Sequence, residues 1–171
     1  MTLRKILSGG QTGVDRAALD VAVKLDVAYG GWCPKGRLDE KGVIPSKYSC
    51  LTEIEGNFIC DQDNFNARTV KNIIDSNGTL IIVPSWPLPE NIKDGTILTI
   101  EEIRRQDKPY YILNIENHDL NDCINWIREF EIGVLNVAGP RASNSPGIYS
   151  VSASLLEELF LSYRNSLKFR K

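Results

Sequence analysis

Histidine is nearly missing: His118 is the single one among 171 residues. A zinc centre built on imidazoles is therefore not expected, nor is a Ser-His-Asp set at the glycine loops. His118 itself sits in the polar turn Glu116-Asn117-His118-Asp119 and reads as exposed. Paired cysteines are missing too. Cys33, Cys50, Cys60 and Cys123 include no C-x-x-C spacing, the signature of zinc ribbons and thioredoxin motifs. No basic excess is present, since 20 Lys and Arg face 22 Asp and Glu for a net charge of −2, so a dedicated nucleic-acid binder is not expected. No apolar run approaches the ~20 residues of a membrane helix, and no membrane partner is expected. The N-terminus MTLRKILSGGQTG enters a strand-like run and then glycines, with no apolar leader ending in a small-residue cleavage site. The expectation is a cytoplasmic chain with reduced thiols. Repeats and low-complexity tracts are absent.

The composition is that of a globular chain, 42% hydrophobic and 25% charged. Its length suits a single domain over residues 1–171. Strands alternate with helices along it. Leu3 to Leu7 reads as a first strand and Ser8 to Gly13 as a glycine loop. From Val14, apolar residues at 14, 18, 21, 22 and 25 share a helical face. Val27 to Tyr29 reads as a short strand, and Trp32 to Gly56 as a long loop of the kind that carries function. Asn64 to Asp75 is predicted helical, stopped by Asn77-Gly78. Thr79 to Val83 (TLIIV) suits a parallel strand buried on both faces. Helices are predicted over Ile97 to Gln106, Asn121 to Phe130 and Tyr149 to Leu167. Strands are predicted over Tyr110 to Leu113 and Val134 to Ala138. The fold class is α/β, a doubly wound, Rossmann-like and mostly parallel sheet with helices on both faces. On the last helix, Leu155, Leu156, Leu159 and Phe160 suit either core or a dimer surface.

In such a sheet ligands bind beyond the carboxyl ends of the strands. Four loops there carry unusual residues. The first, Ser8 to Arg16, joins a strand to a helix. The amides of Gly9, Gly10, Gln11, Thr12 and Gly13, with Arg16, suit a phosphate or other oxyanion at a helix N-terminus. It is neither G-x-x-x-x-G-K-[ST] nor G-x-G-x-x-G, which disfavours ATP hydrolysis. The second, Gly30 to Arg37, sets Lys35 and Arg37 beside Trp32, which suits an anionic ligand with a flat ring. Asp39 and Glu40 follow, either to bind a metal or to tie down Lys35 and Arg37. The third is Asp94-Gly95-Thr96, where Thr96 or Thr99 either caps a helix or offers a hydroxyl to a ligand. Glu101 and Glu102 either complement that helix's dipole or act as base or ribose binder. The fourth, Gly139 to Gly147, presents Arg141 on a rigid Gly-Pro turn. Arg68 and Thr69 form a possible fifth contribution.

The stretches SGGQTGVDRAALDVA (8–22), GGWCPKGR (30–37), RTVKNIIDSNGTLI (68–81), DGTILT (94–99) and NVAGPRASNSPGIY (136–149) resemble the molybdenum carrier family. That family belongs to the Rossmann-like folds related to the lysine-decarboxylase-like phosphoribohydrolases. The resemblance implies a carrier of molybdenum cofactor (molybdopterin) or a nucleotide-like ligand, often a homo-oligomer. One departure is Asp94, where the family usually has glycine; a carboxylate there would repel a phosphate. The related phosphoribohydrolases carry Gly-Gly-x-Gly-Thr-x-Glu-Glu, which residues 95–102 match at Gly95, Thr99, Glu101 and Glu102. That implies a second reading, N-glycosidic cleavage of a nucleoside monophosphate with Glu101 or Glu102 and Arg68 as catalytic residues. A third is a nucleotide-sensing regulatory module. The small molecule expected in each case is anionic and heterocyclic.

Overall fold

The computed structural model describes residues 3–93 and 95–168. The reading of Asp94 lies outside the described residues. The elements run β1 (Lys5–Leu7), α1 (Val14–Lys24), β2 (Ala28–Cys33), β3 (Leu38–Asp39), β4 (Gly42–Val43), β5 (Leu51–Glu53), α2 (Asp61–Ile74), β6 (Gly78–Val83), α3 (Gly95–Arg105), β7 (Tyr110–Asn114), α4 (Leu120–Glu129), β8 (Val134–Ala138) and α5 (Ile148–Lys168). Six strands form one sheet in the order β5-β2-β1-β8-β6-β7, and each neighbouring pair is parallel. The fold is therefore Rossmann-like and doubly wound.

Side-chain alternation explains the two-sided burial. Along β6, Leu80 and Ile82 join Val14, Ala18 and Val21 of α1, Ile124 and Ile127 of α4, and Leu156 and Leu159 of α5. Ile81 and Val83 turn to the opposite face, against Ile73 of α2 and Ile100 and Ile103 of α3. All six residues of β6 are buried. Each such aliphatic side chain contributes about 1.5–3 kcal/mol of burial, which concentrates the core at the centre of the sheet. Leu155, Leu156, Leu159 and Phe160 of α5 are core.

The chain order is unusual. β8, the last strand in sequence, lies at the centre between β1 and β6. α5 then returns the chain beside β1, where the Leu3 amide donates to the Tyr163 hydroxyl at 3.2 Å. Counted from β8, the strands wind outward through β1, β2 and β5, then restart through β6 and β7. The direction reverses between β8 and β6, and at such a reversal the loops part and leave a crevice.

The sequence reading of residues 32–56 as a loop needs correction. β2 runs on to Cys33, where Pro34 ends it. The next twenty residues hold the β3–β4 hairpin and β5. Strands of two or three residues leave too short an alternation to read. Gly30 and Gly31 therefore lie inside a strand. A side chain on Gly31 would place its Cβ 2.2 Å from the Ser8 carbonyl, so glycine there lets β2 approach the first loop. α2 begins at Asp61, earlier than predicted, with Asp61 and Asp63 in its first turn complementing the helix dipole.

Candidate functional site

The first loop is shaped by two left-handed glycines, Gly10 (φ 76°) and Gly13 (φ 78°). It is anchored by the Ser8 amide on the Gly30 carbonyl at 3.1 Å and by the Ser8 hydroxyl on the Asp15 carbonyl at 3.1 Å. Asp15, in the first turn of α1, is 3% exposed. Its Oδ2 accepts from the Gln11 amide at 3.3 Å and from Arg68 Nη1 at 2.9 Å. Arg68 reaches in from α2. The loop after β8 closes from the other side, where the Pro140 carbonyl accepts from the Val14 amide at 3.3 Å. A Cβ on Gly139 would lie 2.4 Å from the Ile82 carbonyl, so β8 leaves the sheet in close contact with β6.

These elements enclose a cleft at the carboxyl ends of β1, β8 and β6. The first loop and α1 supply Gln11 and Asp15, and α2 supplies Arg68 and Thr69. The start of α3 supplies Gly95 and Thr99, and the end of β8 supplies Ala138, Gly139 and Arg141. The cleft encloses about 20 Å³. A water needs about 10–15 Å³ by the same measure, so one or two oxygen-sized groups fit and a ring does not.

Donors dominate the cleft. Gln11 is 5% exposed. Its Oε1 accepts from the Thr12 amide at 2.9 Å and from the Glu40 amide at 3.0 Å, which fixes the side-chain amide. Its Nε2 is then buried and meets no acceptor among the described residues, and Arg68 Nε is in the same position. An unsatisfied buried donor costs about 1–3 kcal/mol, which an oxygen in the cleft would recover. Among the described lining residues, the guanidinium groups of Arg68 and Arg141 accompany the single carboxylate of Asp15, and the start of α3 adds a partial positive charge.

Of the residues singled out in the sequence, Gln11, Arg68, Thr69, Gly95, Thr99, Gly139 and Arg141 line this cleft. Gly9 lies behind it, where a Cβ would fall 1.7 Å from Arg68 Nη1. Gly10 packs under Ile44 and Leu51 instead. Gly13 packs on the Pro140 carbonyl. Thr12 is buried, donates its hydroxyl to Glu40 and accepts from the Ala142 amide at 3.1 Å. Thr96 is 1% exposed and outside the lining.

Several of the proposed cations are committed elsewhere. Arg16 Nη2 donates to the Gly10 carbonyl at 3.0 Å and to Asp39 at 2.6 Å, and its guanidinium stacks 4.9 Å from the Tyr48 ring centre. Arg37 donates to the Leu51 and Tyr48 carbonyls, both at 3.1 Å. Lys35 Nζ donates to the Gly56 carbonyl at 2.9 Å. Trp32 Nε1 donates to Asp75 at the end of α2 at 2.6 Å, with Lys71 over its ring. The second loop is thus braced by its own cations and does not bring Trp32, Lys35 or Arg37 to the cleft. Glu101 is exposed on α3 and outside the cleft lining. Glu102 is bound by Arg105 at 2.6 and 2.9 Å and by Gln106. The Arg105 hydrogen bonds hold its carboxyl below the usual range against the opposing effect of burial.

Two carboxylates matter more than the sequence indicated. Asp15, and not a glutamate of α3, is the acid that meets Arg68. Asp39 and Glu40 neither tie down Lys35 and Arg37 nor join a metal cluster; among the described residues no group of three or more candidate ligands occurs. Asp39 pairs with Arg16. Glu40, at the hairpin tip, bonds Thr12 of the first loop and both the hydroxyl and, at 3.2 Å, the amide of Ser143 in the last. Burial opposes its ionisation, but the Ser143 and Thr12 bonds and the charge of Arg141 outweigh it and lower its pKa. A partner 103 residues away leaves no local sequence signal.

Comparison with known proteins agrees with this architecture. The crystal structure of a "Putative molybdenum carrier protein" from Syntrophus aciditrophicus is 41% identical. It superposes with a TM-score of 0.80 over 94% of this chain and 96% of that one. No curated protein matches. No helix among the described residues is long and apolar enough to cross a membrane. The model of the circularly permutated YpsA SLOG family matches residues 6–160, and the chain belongs to that family.

Proposed function

We propose that the protein is a carrier for an anionic small molecule bearing a pterin- or nucleotide-like heterocycle, held at the carboxyl edge of the sheet. The oxyanion head of the ligand occupies the cleft. The observation that carries this reading is the pair of buried donors without acceptors among the described residues, Gln11 Nε2 and Arg68 Nε, in a cleft that also contains Arg141. The carrier name borne by the 41% identical protein makes molybdenum cofactor the leading candidate as cargo. The donor set fits such a group: Gln11, Arg68 and Arg141 would hold phosphate or oxometalate oxygens.

N-glycosidic hydrolysis is less well supported, because Glu101 is outside the cleft and Glu102 is saturated by Arg105 and Gln106. Mass spectrometry of the small molecules that co-purify with the native protein tests the carrier reading, together with calorimetry against phosphate, molybdate and nucleoside monophosphates. Binding well below millimolar is expected, and Arg141→Ala should weaken it by about 1.5–3 kcal/mol, the size of a charge-assisted hydrogen bond. Absence of binding across the panel would overturn the reading.

A further inference from the structure

The cleft takes one or two oxygens of an oxyanion head but has no room for a ring, so the rest of any such ligand must lie elsewhere. A groove of about 420 Å³ is lined by the same two loops as the cleft. Gln11 and Asp15 line the cleft, while Thr12 and Gly13 line the groove. Arg141 lines the cleft, while Ala142 lines the groove. The two loops that the cleft and the groove share are joined by the Val14 amide on the Pro140 carbonyl, by Thr12 bonded to Ala142, and by Glu40 bonded to Thr12 and Ser143. Of the other large hollows among the described residues, two open near the starts of β1, β2 and β7, and a third lies over Lys5, Trp32 and Val134. None of them shares a loop with the cleft.

The groove's walls suit a flat heterocycle. Its far side is the Tyr149 ring, half-exposed and held in place by a 2.8 Å bond from its hydroxyl to Asp20. Its near side is the hairpin, with Val43 72% exposed and the exposed Lys41 amine making no ion pair among the described residues. The volume lies within the ~300–1,000 Å³ usual for small-molecule sites.

We infer that this groove, between the β3–β4 hairpin and the start of α5, receives the ring-bearing body of a phosphorylated heterocycle whose head lies in the cleft, with Glu40 the partition that yields on binding. The inference rests on the anion reading of the cleft. It replaces Trp32 by Tyr149 as the aromatic surface.

The test uses the full chain, with orthophosphate as a head-only probe and AMP as a head with a body. AMP should bind at least about tenfold more tightly than orthophosphate. Tyr149→Leu combined with Val43→Asn should remove most of that gain while changing orthophosphate affinity less than about twofold. Photo-crosslinking with 8-azido-AMP, read by peptide mass spectrometry, should label residues 41–45 or 142–149. Equal affinity for the two probes, an unaffected double variant, or label at 32–37 or near the starts of the strands would overturn the groove and leave the cleft standing. If neither probe binds the wild-type chain, the anion reading fails and the groove fails with it.

Discussion

Arg68 Nη1 lies 2.9 Å from Asp15 Oδ2, and the guanidinium occupies the space where Gly9 would carry a side chain. The first loop, α1 and α2 therefore meet at one ion pair, seated on a residue that must lack a Cβ. In Gly9→Ala the added methyl would fall 1.7 Å from Nη1 and 2.9 Å from the Asp15 carboxylate. Either the guanidinium moves or the loop does. A loss of about 1–3 kcal/mol is expected from overpacking. Anion affinity should fall as well, since the displaced arginine lines the cleft. Chemical denaturation and phosphate titration of the same variant would measure both.

The ion pair itself is well buried, with side-chain exposures of 12% for Arg68 and 4% for Asp15. Removing one partner leaves the other's charge uncompensated, which costs about 3–5 kcal/mol. Arg68→Ala alone should be destabilising on that scale. Asp15→Asn with Arg68→Met removes both charges and should recover much of the stability but none of the anion binding. Urea denaturation of the two single variants and the double would give the coupling, and additive losses would show that the charges do not depend on each other.

Long-period features of the fold were legible in the sequence. TLIIV of β6 is buried on both faces and reads as such, and α1, α4 and α5 show their apolar stripes plainly. Gln11, Arg68, Thr69, Gly95, Thr99, Gly139 and Arg141 stand out in the sequence and line the cleft because each sits where a strand meets a helix, or on a helix that faces that edge. Trp32, Lys35 and Arg37 misled for a physical reason. Lys and Arg beside an aromatic ring recognise an anion or brace a loop with the same atoms, and here the carbonyls of Gly56, Leu51 and Tyr48 take them. Glu40 was beyond reach, because its partners belong to two loops brought together only by the central placement of β8.

Glu40 gives the hairpin a pH dependence. Its ordinary pKa of 4.5 is lowered in the folded chain, by the Ser143 and Thr12 hydrogen bonds and the positive charge of Arg141 acting against burial. Lys41 and the Asp39–Arg16 pair are the other charges nearby on the hairpin and α1. A folded pKa below the unfolded one contributes stability that is present above about pH 4.5 and is lost as pH falls through the folded value. Protonation then removes an acceptor from the Ser143 and Thr12 donors and loosens the hairpin. Thermal melts of wild type and Glu40→Gln should differ at pH 7 and draw together as the pH falls from 4.5 through the lowered folded value. Hydrogen exchange at the Ser143 amide should quicken over the same range in the wild type alone. A constant difference in melting temperature from about pH 7 down to about pH 3.5 would show that the carboxylate carries no such linkage.

Gln11 separates the structural half of the loop from its binding half. Its Oε1 serves the fold by accepting from the Thr12 and Glu40 amides, while its Nε2 is a buried donor without an acceptor among the described residues. Gln11→Glu preserves shape and the acceptor oxygen but exchanges that donor for a second carboxylate oxygen. The two amides still have their partner, so folding should be nearly intact near neutral pH. The cleft, however, would now present negative charge to its anion. Phosphate affinity should fall by about 1.5–3 kcal/mol, roughly ten- to a hundredfold. Gln11→Leu should instead lose stability as well, since the Thr12 and Glu40 amides lose their acceptor. Unchanged phosphate affinity in Gln11→Glu would mean that Nε2 faces no anion, and the cleft would lose the observation that supports it most.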